Sequence, residues 1–371
     1  MKAAGLALLA ALTLSATAAP PQETLRARLD SVIQNSRARE FDAAVAAVTP
    51  LITDIAATDD RELLAEALIQ HAYALFGSAR YPESLASYER ALETARGVGH
   101  RRFQARSIWG MAQVRKNQGN YPEALRLNSD ARKRYAAIAD VGGEMRAWML
   151  EGALLDLTGE HRPALRSYRR ALAMMKEDEE PYALVHSEMA ISHKRLGEYE
   201  QARALFLRAV EISRRIDYGN GEANALHQLS ALSAELGDYD RALALAEESL
   251  AMFRAQGDRR SEVYVLGSLG ALRWQRDDAA RATATFERQL ELAREIGINQ
   301  PQVTALEGLG TIALARGDYS LARKRFDDAL AIERASHGGD EGSLLVALAG
   351  VELRDSKAYM EIGRASCRER V

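Results

Sequence analysis

The sequence predicts an all-α fold, an α-solenoid of antiparallel helix pairs. Three observations predict it. First, a small residue recurs at positions 44, 84, 124, 164, 202, 242, 282 and 322, and only the step from 164 to 202 breaks the even spacing. A fixed period of this size, about 40 residues, is the mark of a repeat architecture. Second, each of these residues closes a turn-like string: Gly119-Asn-Tyr-Pro-Glu-Ala124, Gly197-Glu-Tyr-Glu-Gln-Ala202, Gly237-Asp-Tyr-Asp-Arg-Ala242 and Gly317-Asp-Tyr-Ser-Leu-Ala322 are the clearest. Weaker copies start at Arg39, Ala79, Gly159 and Asp277. Third, small and aromatic residues flank the turn at spacings of three and four, which gather on one face of a helix.

The elements follow in chain order. Met1-Lys2, an apolar run over residues 3–14 and the small-x-small site Ala16-Thr17-Ala18 form a signal-peptide pattern. The run is short for a membrane helix, which needs about 20 apolar residues. Residues 1–18 are therefore expected to be removed, leaving a secreted mature chain that begins near Ala19, in the periplasm of a bacterium or outside the cell.

Residues 19–360 then read as eight repeats and the start of a ninth. In each repeat a first helix, A, carries a small residue seven positions before the turn: Ala72, Ala112, Gly152, Ala190, Ser230, Gly270 and Gly310. A small side chain there lets two helices approach closely. The turn glycine closes helix A through a left-handed cap. The second helix, B, opens near Pro82 and Pro122, where the missing N–H costs nothing. Four residues after its small position stands an aromatic ring, Tyr88, Tyr168, Phe206, Phe286 or Phe326; Asn128 and Ala246 interrupt that column. Asp217–Gly221 and His337–Gly342 read as polar loops between repeats. The first repeat is the most relaxed, with Arg39 at the turn and Val32 at the small position, as suits an end repeat with one neighbour.

These turns and columns resemble the tetratricopeptide repeat, over roughly residues 22–360. The usual unit of that family is about 34 residues, so the longer unit here implies longer helices. The resemblance implies a right-handed superhelix with A helices on the concave side and B helices on the convex side.

Gly350 lies one period after Gly310, and Tyr359 lies one period after Tyr319, so a ninth helix A is expected over about 343–356 with its partner starting near 360. Residues 361–371, Glu361 to Val371, instead resemble an in-frame translation of a short-read sequencing adapter. That tail is expected to be non-native and the natural protein to continue beyond Met360.

Composition limits the function classes. The chain has 371 residues with 49 Lys plus Arg and 52 Asp plus Glu, a formal charge of −3. Setting aside Lys2 and the three Arg and two Glu of the tail leaves 45 basic and 50 acidic residues, a charge of −5. Such a chain is a poor general nucleic-acid binder. The single cysteine, Cys367, lies in the suspect tail and supports neither a disulfide scaffold nor a Cys-based zinc cluster.

No catalytic, cofactor or metal constellation emerges. The seven histidines, at 71, 100, 161, 186, 193, 227 and 337, are spread over the repeats; only His186 and His193 could share a helix face, and ordinary packing explains them better than a metal pair. Gly338-Gly-Asp-Glu341 is reminiscent of the diguanylate cyclase signature loop, but Gly342 stands where that signature has Phe. Glu177–Glu180, Arg101-Arg102 and Arg169-Arg170 read as solvated helix ends and faces.

What a solenoid offers is a long groove. Gln113, Lys116, Lys194, Arg195 and Arg273 are the candidate polar contacts for a protein or peptide partner lying against the A helices. The function expected is an extracytoplasmic binding scaffold without catalysis. An alternative, by analogy with bacterial signalling proteins, is the periplasmic sensor region of a truncated membrane-bound enzyme, such as a GGDEF diguanylate cyclase or a histidine kinase. A membrane span would then lie in the missing C-terminal part, since none is read in the residues present.

Overall fold

The computed structural model describes residues 22–336 and 341–368, and every regular element among them is an α-helix. The chain forms two compact units, Met1–Met174 and Met175–Val371. The first holds α1 (Gln22–Arg37), α2 (Phe41–Ala56), α3 (Arg61–Gly77), α4 (Tyr81–Gly97), α5 (Arg101–Asn117), α6 (Tyr121–Ala137), α7 (Val141–Leu157) and α8 (His161–Leu172). The second holds α9 (Glu180–Arg195), α10 (Tyr199–Arg215), α11 (Gly219–Glu235), α12 (Tyr239–Ala255), α13 (Arg259–Gln275), α14 (Ala279–Glu295), α15 (Asn299–Ala315), α16 (Tyr319–Ser336) and α17 (Glu341–Arg368). Odd helices are the A helices of the repeats and even helices the B helices. The leader segment 1–18 and the Gly338–Asp340 part of the GGDE string lie outside the described residues.

The links have a stricter rule than the sequence reading gave them. A left-handed residue recurs at half the repeat period: Gly99 (φ 71°), Gly119 (φ 76°), Ala139 (φ 54°), Gly159 (φ 82°), then Gly197 (φ 74°) and Asp217 (φ 56°), and so on to Gly317 (φ 77°). Apart from the α2–α3 link and the segment after α8, which have no left-handed residue, turns within a repeat and between repeats are thus the same object. Each is closed by a pair of bonds in Schellman geometry, as where Gly119 N–H donates to Lys116 O at 3.0 Å and Asn120 N–H to Arg115 O at 2.9 Å. Where the residue making the longer-range bond is Asn or Asp, its side chain caps the next helix: Asn120 accepts from Glu123 N–H at 3.3 Å, Asp140 from Gly143 N–H at 2.9 Å and Asp258 from Ser261 N–H at 3.0 Å. These short links hold the helices antiparallel. The expected loop Asp217–Gly221 is such a link: only 216–218 are outside helices, and Gly219 already opens α11.

The short step from 164 to 202 has a structural cause. α8 has 12 residues where α7 has 17, and no left-handed link follows it before α9. The boundary between the two units falls in that segment.

Five of the left-handed positions carry a side chain, among them Ala79 at φ 58°. An L-residue there costs about 1–2 kcal/mol, and glycine would give back about 0.5–1 kcal/mol in unfolded-chain entropy. Ala79→Gly is therefore expected to stabilise the first unit by about 0.5–1 kcal/mol in urea denaturation; a loss of stability would contradict the assignment of this turn.

The core is built from the two columns legible in the sequence. Tyr168, Phe206 and Phe326 are all but fully buried, and rings of this column face the small residues of helix A. A Cβ added at Gly270 would come within 2.7 Å of the Phe286 ring, and one at Gly310 within 2.7 Å of Phe326. The two interruptions are filled by polar bridges. Asn128, buried, donates through Nδ2 to Ala147 O at 2.8 Å on the next odd helix. Beside Ala246, Ser230 Oγ donates to Ala242 O at 2.7 Å and Ser249 Oγ to Ala223 O at 2.8 Å.

Odd helices also touch the next odd helix: α1–α3, α3–α5 and α5–α7 in the first unit, α9–α11, α11–α13 and α13–α15 in the second. No pair of even helices packs comparably among the described residues. Closer approach on the odd side makes it the inner, concave side of each unit.

The ninth repeat departs from expectation. α17 runs from Glu341 to Arg368 as one helix, with no turn near 357. Residue 357, one period after the turn glycine Gly317, is Lys, and the helix runs through it. No helix among the described residues is long and apolar enough to cross a membrane.

Candidate functional site

The inner face of the first unit carries a cleft of about 500 Å³. It runs obliquely across the odd helices. The C-terminal turn of α1 supplies Ser36 and Arg37, the middle of α3 supplies Glu66, Ile69 and Tyr73, and the N-terminal half of α5 supplies Arg102, Phe103, Arg106 and Trp109. Arg146 on α7 and its capping residue Asp140 close the end. The floor is made by Tyr88 of α4 and Tyr135 of α6, buried rings that reach under the odd helices. They fit because α5 and α7 carry glycine there: a Cβ at Gly110 would run into the Tyr88 ring, and one at Gly143 into Tyr135.

A charged ladder leads into this cleft, with Glu66, Arg106 and Arg146 among its lining residues. Arg26, Glu66, Arg106 and Arg146 stand one repeat apart, at the same level of successive odd helices. The first rung is neutralised, since Arg26 Nη1 lies 2.5 Å from Glu66 Oε2. Arg102 is paired as well, its Nε 2.8 Å from Asp140 Oδ2. Arg37, Arg106 and Arg146 make no ion pair among the described residues. Arg106 and Arg146 converge on Tyr135: burial pushes its phenol up, and both guanidinium groups oppose that rise, Arg146 the more strongly. Burial likewise raises the Tyr88 phenol, with Arg106 opposing.

Two donors in the cleft have no partner among the described residues. Ser36 is 3% exposed, and its Oγ makes no hydrogen bond to them. Trp109 Nε1 is also buried and unpartnered, with the Arg146 guanidinium 6.0 Å from the ring. Unsatisfied buried donors cost free energy unless something accepts from them.

The residues singled out from sequence are placed as follows. Gln113 and Lys116 continue the Arg102–Arg106–Trp109 face of α5 by helical spacing, toward its C-terminal end and beyond the cleft. Gln113 is also the counterpart, one repeat on, of Tyr73, which does line it. Lys194 ties α9 to α11 through Glu235 at 2.7 Å, and Arg195 beside it is exposed. Arg273 is committed to the even helices, with Nη1 2.6 Å from Thr285 Oγ1 and Nη2 3.0 Å from Glu247 Oε1. Gln113 and Lys116 belong to the first unit and Lys194, Arg195 and Arg273 to the second. Tyr73, Arg106, Trp109 and Arg146 escaped the sequence reading; the signal was there in the non-repeating residue at each A-helix level.

Three histidines serve packing. His227 Nε2 meets Ser268 Oγ at 2.9 Å, His71 Nδ1 meets Ser87 Oγ at 3.1 Å and His186 Nδ1 meets Tyr182 O at 2.8 Å. Burial holds all three below the ordinary imidazole value. His193 pairs with Glu198 at 2.5 Å, so His186 and His193 turn to different partners. Among the described residues no group of three or more His, Cys, Asp or Glu could hold a metal ion.

The tetratricopeptide repeat model matches residues 63–137, 103–177, 182–255 and 261–354, which together span most of both units. The chain belongs to the tetratricopeptide repeat family. A comparison with curated proteins found no match. Solved tetratricopeptide repeat structures share its fold. A Rap protein complexed with Competence and Sporulation Factor is 16% identical and superposes with a TM-score of 0.61, over 94% of this chain and 99% of that one. The apo form of the quorum sensor NprR from B. thuringiensis is 13% identical with a TM-score of 0.65, over 83% of this chain and 87% of that one. A signal transduction ATPase with a tetratricopeptide repeat sensor, from Pyrococcus horikoshii, is 14% identical with a TM-score of 0.57, over 94% of this chain and 54% of that one. At these identities the likeness concerns the fold.

Proposed function

We propose that this tetratricopeptide repeat chain is an extracytoplasmic scaffold that binds a peptide or an extended protein segment, without catalysis. The observation that carries the reading is the first-unit cleft, a groove crossing four odd helices with aromatic walls and donors unpartnered among the described residues. Aromatic and arginine side chains in such a setting are the usual anchors of binding energy. Odd helices about 8–10 Å apart give a groove that fits roughly eight residues of extended chain at ~3.3 Å each. The Rap protein complexed with a factor and the quorum sensor NprR support the use of this fold in binding.

The test is a peptide selected from a display library on the full chain. Tyr73 is exposed and lines the cleft. Tyr73→Ala is expected to weaken the selected peptide by about tenfold or more, as loss of an aromatic anchor does. Arg288→Ala, on the even helix α14, should leave the affinity unchanged. Failure to select any peptide, or equal effects of the two variants, would sink the reading.

The extracytoplasmic placement rests on the leader pattern over residues 1–18. N-terminal sequencing of the expressed protein should find processing beside Ala18 or Ala19; an intact Met1 on the folded protein would overturn it. A second reading, the sensor region of a larger membrane-bound signalling enzyme, is favoured by the Pyrococcus horikoshii protein, where the matched part is 54% of a longer signalling chain. Genomic sequence beyond the Met360 codon tests it: a membrane span and an output domain support it, and a stop within one further repeat rejects it.

A further inference from the structure

We propose that the first-unit cleft selects an acidic peptide, with carboxylates seated on Arg106 and Arg146 and peptide acceptors meeting Trp109 Nε1 and Ser36 Oγ. The inference rests on the peptide-binding reading above and adds the chemical class of the ligand.

The ladder itself shows what these arginines take. On its first rung Arg26 is satisfied by the carboxylate of Glu66, one repeat along. The position one repeat after Arg106 holds Arg146, and neither arginine makes an ion pair among the described residues; Glu66 and Asp140, the carboxylates of the same cleft, are paired with Arg26 and Arg102. Two guanidinium groups that converge on one aromatic ring, as Arg106 and Arg146 do on Tyr135, repel each other unless an anion lies between them. Charge-assisted bonds from arginine to carboxylate are among the strongest that a groove can offer. Arg37 adds a third cation at the α1 end of the same cleft.

The charge is local to this cleft. At the same level of the odd helices in the second unit stand Leu184, Asn224, Tyr264 and Thr304, all uncharged. The chain as a whole is negative at −3, so its overall field works against an acidic ligand. Attraction for one must therefore come from the ladder and not from net charge. The two unpartnered donors point to the same ligand. They ask for acceptors, which a peptide backbone carries at every residue, spaced along the same groove as the arginines. A nucleic acid would also bring anions, but a cleft confined to one unit, with donors spaced for a peptide backbone, favours the peptide.

The experiment uses the full chain and fluorescein-labelled octapeptides of alternating Glu-Ala, Gln-Ala and Lys-Ala, with oligothymidylate of the same length, in an anisotropy titration. The Glu-Ala peptide is expected to bind about tenfold or more tighter than Gln-Ala, with Lys-Ala weaker still, and to weaken as salt rises from about 50 to about 500 mM. The double variant R106Q/R146Q, checked for unchanged helical circular dichroism, should lose most of the preference for Glu-Ala over Gln-Ala. Trp109→Phe, which keeps an aromatic ring and removes the donor, should weaken both the Glu-Ala and Gln-Ala peptides alike. Equal binding of Glu-Ala and Gln-Ala, or a salt-independent Glu-Ala affinity, overturns the acidic class and leaves peptide binding standing. Tighter binding of oligothymidylate overturns it in favour of nucleic acid. No binding of any peptide, here and in the display selection, overturns both.

Discussion

Phe286→Ala is expected to destabilise the second unit by about 3–5 kcal/mol, the range for removing a buried Phe ring. The ring does more than fill volume. It comes from α14 and is held between α13 and α15, where Gly270 and Gly308 leave room for it: a Cβ at Gly270 would lie 2.7 Å from the ring and one at Gly308 2.6 Å. Removing it opens a gap between two consecutive odd helices at once, so collapse of one side cannot close it. Urea denaturation followed by helical circular dichroism reads the loss, with fluorescence of Trp274 on α13, packed against the same cluster, as a local probe. A loss below about 1 kcal/mol would contradict this packing.

Gly270→Ala carries the second large expectation, a change of sign. Alanine in a helix interior gains about 0.8–1 kcal/mol over glycine. Against that, the new methyl meets three Phe286 ring atoms at 2.7, 2.8 and 2.9 Å, and overpacking of this kind costs about 1–3 kcal/mol. Overpacking wins, and the single variant should be less stable by up to about 2 kcal/mol. In the Phe286→Ala background the clash is gone, and the same change should stabilise by about 1 kcal/mol. A double-mutant cycle with a coupling of about 1 kcal/mol or more tests the contact itself; additivity would mean the two columns do not meet.

Those two columns were fully legible in the sequence, and for a physical reason. Every repeat must solve the same packing problem, so Gly270 and Phe286, or Gly310 and Phe326, return at a fixed spacing. The turns were half legible. Glycine marked Gly119 or Gly237, but Ala79, Ala139 and Asp217 adopt the same left-handed conformation without glycine, and so the half-period rhythm stayed hidden. The short step from 164 to 202 was visible as a number; the shortened α8 that produces it was not. The expected turn after helix A of the ninth repeat is absent, and α17 runs on to Arg368.

The cleft was legible in its location but not in its members. Ligand-facing positions are those where repeats are free to differ, and a search for periodicity discards them. The level of Arg26, Glu66, Arg106 and Arg146 does not repeat in identity, yet it carries the charge of the groove. Gln113 was chosen for its polarity and falls at the level of Tyr73, one repeat away. Lys194 and Arg273 were chosen on the same ground, but long cations at helix ends reach neighbouring carboxylates first, as both do here.

The most direct measurement of the central claim is photocrosslinking from within the cleft. A benzophenone side chain replaces Tyr73 on α3 in one variant and Arg288 on α14 in another, and each is irradiated with the peptide taken from display selection. The cleft account predicts that the peptide attaches at position 73 and that unlabelled peptide competes it away, with none attached at position 288. Attachment at 288 and not at 73, for a peptide whose binding is established by titration, would contradict it.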